Sequence, residues 1–150
     1  MDVSENQEFK KIWRINWLSS LISLADIELQ QRWLDKRVSN PAWTYAEFIC
    51  NYFDDLGWSA DGYEEKIRTG FVTKEEYDCV RDFHHALDGY IAPNGSYDPL
   101  AILNDPTWQK IVAIGHQSVT NLEDLITRPD EKSLFLERPE LSPGDYTWPK

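Results

Sequence analysis

The sequence predicts an all-α single domain, a bundle of about five main helices with an irregular C-terminal tail. Three observations predict it. Apolar residues recur at three- and four-residue steps along most of the chain, two segments open with the Thr-x-x-Glu spacing of a capping box, and glycines and prolines fall singly where the periodicity breaks. A hydrophobic share of 41% in 150 residues is enough for one core, and well above that of a disordered chain.

The first helix is predicted over residues 5–22, where Phe9, Ile12, Trp13 and Trp17 form a stripe that Ile15, Leu18 and Ile22 widen. Ser23 is positioned to cap a second helix reaching Val38, with Asp26 in its first turn and Leu24, Ile27, Leu34 and Val38 on one face. Asn40-Pro41 interrupts it, because the residue before proline is pushed out of helical geometry. Thr44 and Glu47 then start a third helix in which Tyr45, Phe48, Ile49, Tyr52, Phe53 and Leu56 keep the period until Gly57. A turn-rich stretch with Trp58, Gly62, Tyr63 and Ile67 runs to Gly70. Thr73 and Glu76 repeat the capping-box spacing, opening a helix with Glu76, Cys79, Val80, Phe83 and Leu87 on one face and an end near Asp88-Gly89.

Residues 89–107 carry Pro93, Asn94-Gly95 and Asp98-Pro99, and so predict a loop around one helical turn at residues 100–103. Asp105 as cap and Pro106 as first helical residue begin a last long helix to about Thr127, with Trp108, Ile111, Val112, Gly115, Val119, Leu122 and Ile126 in one stripe. A glycine inside a helix costs about 1 kcal/mol relative to alanine, so Gly115 marks either a close helix approach or a break. From Arg128 the chain is expected to be extended, given Pro129, Pro139, Pro143 and Pro149. The apolar island Leu134-Phe135-Leu136, with Tyr146 and Trp148, is expected to hold it on the surface. The predicted organisation is a helical domain over 1–128 and an extended, proline-rich tail over 129–150 packed on it.

Function is bounded first by what is missing. No run of about 18 apolar residues occurs, and charged residues interrupt the first twenty, so neither a membrane span nor a secretory signal is expected. Two cysteines, Cys50 and Cys79, are too few for a disulfide framework and read as reduced core thiols of a cytoplasmic protein. Glycines never cluster as a phosphate-binding loop requires, and no nucleophile elbow, Cys-x-x-Cys pair, His-Glu-x-x-His helix or calcium loop is present. No catalytic residue, cofactor or metal is therefore assigned.

The net charge of −11 is uneven. Residues 1–43 are balanced, whereas residues 44–90 hold eleven acids against four bases, and residues 91–150 hold nine against five. Such a field repels nucleic acid and anionic lipid and attracts a basic protein. Aromatic residues in the same segment supply the anchors that protein interfaces favour. The candidate partner-binding residues are thus Asp54, Asp55, Asp61, Glu64, Glu65, Glu75, Glu76 and Asp78 as charged surface, with Tyr52, Trp58 and Tyr63 as anchors. Of the seven tryptophans, Trp13, Trp33 and Trp108 are expected in the core, and Trp43, Trp58 and Trp148 partly exposed.

In size and charge the chain resembles the immunity proteins of bacterial competition systems, small acidic inhibitors of basic toxic nucleases. That resemblance implies a cytoplasmic inhibitor neutralising a basic toxin by direct binding, and it carries no individual residue across. Two other readings stand beside it. Asp82, His84, His85 and Asp88 could serve a metal-dependent or acid/base enzyme, since His84 and Asp88 are four apart on a helix and His116 could join them from a facing one. Alternatively, the apolar stripes could pair with another copy in a structural or adaptor subunit.

Overall fold

A computed structural model describes residues 3–34, 45–54, 56–58, 60–93 and 98–136. Among these the protein is all-α, with eight helices: α1 (Val3–Leu24), α2 (Ile27–Leu34), α3 (Tyr45–Phe53), α4 (Tyr63–Arg68), α5 (Lys74–Gly89), α6 (Pro99–Leu103), α7 (Pro106–Glu123) and α8 (Pro129–Leu136). No described helix is long and apolar enough to cross a membrane.

The broad stripe of α1 makes it the central element. Trp13, Trp17, Leu18, Leu21 and Leu24 are all buried, and α1 touches α2, α3, α7 and α8. Its indoles are fixed by polarity as well as packing, because a buried N–H needs an acceptor. Trp13 donates to the Leu56 carbonyl at 2.7 Å, and Trp17 to the Tyr63 hydroxyl at 2.8 Å. Gln30 of α2 is fully buried yet satisfied: its amide nitrogen donates to the Ser23 and Leu24 carbonyls, and its oxygen accepts from Trp108 Nε1 at 3.0 Å.

The most extensive helix pair is α5 on α7, and Gly115 explains their closeness. A Cβ on Gly115 would lie 2.5 Å from the Phe83 ring, inside van der Waals contact, so the glycine marks an approach and α7 runs through it unbroken. The capping box at Thr73 and Glu76 is formed in full, and Asp98 and Asp105 cap α6 and α7 with proline in the first turn of each.

Several expectations need correction. Ser23 lies within α1, and α2 is capped instead by Asp26, whose Oδ1 accepts from the Leu29 N–H at 3.1 Å. The predicted extension to Val38, the Asn40-Pro41 break and the Thr44 cap lie outside the described residues. The turn-rich stretch contains α4, entered through Gly62 at φ 57° and left through Gly70 at φ 84°, backbone that favours glycine. Residues 129–136 are helical rather than extended, with Glu131 buried and Leu134 and Phe135 against the core. Of the two expected core thiols, Cys50 is exposed and Cys79 is half-buried against the core.

One guanidinium joins three of these helices. Arg14 of α1 is bidentate to Glu76 of α5 and to Glu131 of α8, with N···O distances of 2.8–3.0 Å, and it also donates to the Phe71 carbonyl. Both carboxylates are nearly removed from water, at 6% and 2% side-chain exposure, so the ion network docks α8 on the domain.

Candidate functional site

Gly62 turns the chain into α4 and Thr73 starts α5, and a cleft of about 620 Å³ opens between these two elements. Asp61, Tyr63 and Glu64 reach it from one side, and Tyr77, His84 and His85 from the other. Two constellations that are separate in sequence, the acidic-aromatic segment and the histidine pair, therefore meet at one site. Tyr77 and His84 are seven apart and so share a flank of α5.

Behind the cleft stands an aromatic wall. The Tyr63 ring lies 4.5 Å from Trp58, 4.8 Å from Tyr77 and 4.9 Å from His84, the last edge to face at 88°. Tyr52 is completely buried beneath it, its hydroxyl 2.6 Å from that of Tyr63 and 2.8 Å from His84 Nδ1. Burial pushes both phenols well above their usual range, so they stay protonated. Burial, with neighbouring His85, holds the His84 imidazole below its ordinary value, against a partial opposing pull from Asp88. His84 is thus neutral at physiological pH.

The sequence-predicted partner-binding residues divide into three groups. Asp54, Asp61, Glu64, Glu75 and Asp78 are exposed, and Trp58 is half-buried with its indole nitrogen bonded to the Tyr52 carbonyl. Tyr52, Tyr63 and Glu76 are buried. Tyr52 and Glu76 leave the surface patch entirely, one committed to the core and the other to Arg14. Tyr63 remains useful only through the part of its ring that borders the cleft. Glu65 is half-buried, with one carboxylate oxygen screened from water and lacking a hydrogen-bond partner. Asp55 lies outside the described residues, as do Trp43 and Trp148, and the side chain of Trp33 is not described.

Exposed cations modulate the acidic surface. Asp78 is 3.4 Å from Lys74 and 3.9 Å from Arg81, Asp82 is 3.9 Å from Arg81, and Asp61 is 4.0 Å from Arg68. Pairs this exposed contribute about 0–1 kcal/mol each, so an incoming charge exchanges with them readily. Arg68, Lys74 and Tyr77 escaped sequence analysis as cleft residues. The seven-residue step from Tyr77 to His84 was the available signal.

The metal alternative finds no geometry here. Among the described residues no three His, Cys, Asp or Glu side chains are arranged to hold an ion. His84 is bonded to Tyr52 rather than Asp88, and His116 borders a different groove, of about 870 Å³, with Ile22, Ala25 and Val119. That groove is larger than the cleft but contains none of the predicted partner-binding residues. The Cys79 thiol is pushed up by burial and by the carboxylates of Asp78, Glu76 and Asp124, the opposite of what a reactive thiolate needs. No protein-family model, curated protein or solved structure matches the chain.

Proposed function

We propose that this protein is a binding module for a basic protein partner, an inhibitor of the immunity type, which docks across α4 and α5 with the cleft at its centre. The supporting observation is the convergence of Asp61 and Glu64 with the Tyr63 and Tyr77 rings around one concavity, an arrangement of aromatic anchors inside a charged rim. Asp54, Glu75 and Asp78 are exposed as well and add to the long-range negative field that steers a cationic partner.

Affinity capture from the native host tests the reading. Wild type should retain a basic protein whose recovery falls steeply between low and physiological salt, where the screening length shrinks to about 8 Å. The Asp61→Lys/Glu64→Lys variant should retain none while keeping its helical circular dichroism. Undiminished capture by that variant would remove the cleft from the interface.

A further inference from the structure

The hydrogen bonds behind the cleft run in one direction, and that direction fixes the chemistry of His84. An indole N–H can only donate, so Tyr63 Oη accepts from Trp17 at 2.8 Å. Tyr63 then gives its one proton to Tyr52, 2.6 Å away, and Tyr52 gives its own to Nδ1 of His84 at 2.8 Å. Every donor has an acceptor and the chain ends on a nitrogen lone pair. Run the other way, with Nδ1–H donating to Tyr52 and Tyr52 to Tyr63, the Tyr63 proton is left inside the core with no acceptor, which a buried hydroxyl does not tolerate.

His84 therefore carries its proton on Nε2. That nitrogen has no hydrogen-bond partner among the described residues, and the side chain borders the cleft. We infer that His84 Nε2–H is the fixed donor of the cleft, recognising a backbone carbonyl of an arginine-bearing segment whose guanidinium sits by Asp61 and Glu64 against the tyrosine rings. This inference rests on the protein-binding reading above and names the chemistry at its centre.

Acid should disable the site. Tyr52 faces His84 from α3, Tyr63 from α4, and Tyr77, His85 and Asp88 share its own helix, while Arg68 and Lys74 complete the cleft. Of these, Asp88 favours a proton on His84, against burial and neighbouring His85. Once it is protonated, Nδ1 becomes a donor, the chain loses its direction, and a third cation joins Arg68 and Lys74 against the incoming guanidinium.

Isotope-labelled full-length protein, titrated with N-acetyl-arginine amide and followed by long-range proton–nitrogen spectra of the imidazoles, tests this without the natural partner. At about pH 7.5 His84 should appear as the neutral Nε2–H tautomer, with saturable shifts at His84 and Tyr77 that weaken as the pH is lowered to about 5 and the imidazole takes up its second proton. His84→Gln, which keeps an N–H donor at the same reach, should bind the probe at both pH values, whereas His84→Ala should not. An Nδ1–H tautomer, a mixture, or equal probe binding by His84→Ala would overturn the assignment. If His84→Ala does not fold, Tyr52→Phe decides: removing the proton given to Nδ1 must mix the tautomers, and an unmixed spectrum refutes the chain. Loss of partner capture in the Asp61/Glu64 variant alongside an unmoved His84 would leave the interface standing and this inference fallen.

Discussion

Arg14 spends all five of its N–H groups inside the protein, two on Glu76, two on Glu131 and one on Phe71, as its five hydrogen bonds show. Removing one partner of a buried ion network costs about 3–5 kcal/mol because the survivors are left charged and unpaired. Arg14→Met should lower the unfolding free energy by about that amount in urea melts, with the largest protection loss in hydrogen exchange falling on α8. The network also sets an acid limit. Burial opposes charge on Glu76, but the bonds from Arg14 and the Thr73 N–H outweigh it and hold the carboxyl below its usual range. A depressed carboxylate contributes stability that is present above about pH 4.5 and lost as pH falls through the folded value. Wild type should therefore weaken steeply below that pH, and Arg14→Met should show a flatter acid limb. His84 acts higher on the scale: its folded value lies below the ordinary 6.5, so its contribution falls as pH drops from above 6.5. His84→Gln should erase that part of the profile and leave the acid limb intact.

Helix α5 was legible from its residues alone, because capping box, apolar stripe and terminal glycine all give the same boundaries. α7 was legible from its Asp105 cap, Pro106 and stripe, down to Gly115, which the stripe marks and Phe83 fills, but it ends at Glu123 rather than about Thr127, since the stripe carries on to the buried Ile126 after the helix has stopped. Gly115→Ala should gain helix propensity of about 1 kcal/mol yet lose stability overall by about 1–3 kcal/mol through overpacking, visible as a lower melting temperature. A neutral or stabilising result would mean that α5 and α7 pack more loosely than described. α8 was not recognised, although Pro129 in the first turn with Asp130 and Glu131 beside it is a helix-start pattern. The surrounding prolines masked it, and its stabilising partner Arg14 stands 117 residues away, beyond the reach of any local periodicity. Tyr52 and Glu76 were misplaced on the surface for a related reason. Their helix faces were readable, but the elements covering them were not.

Across the molecule, a net charge of −11 had a readable sign and segment, whereas its usable geometry had not. Folding withdraws Glu76 into an ion network, ties Asp78 and Asp82 loosely to Lys74 and Arg81 and Asp61 to Arg68, and places Asp61 and Glu64 beside an aromatic cleft. The proposed binding function is thus tied to a place, where total charge alone would serve equally at any face. The direct test compares two variants of equal net charge, Asp61→Lys/Glu64→Lys at the cleft and Glu28→Lys/Asp124→Lys on α2 and beyond α7, in capture of the host partner at physiological salt. The cleft variant should lose capture while the distant one keeps it apart from a modest slowing of association, because long-range steering is all that remote charge supplies. Equal losses in both variants would show that bulk acidity, with no particular site, accounts for binding.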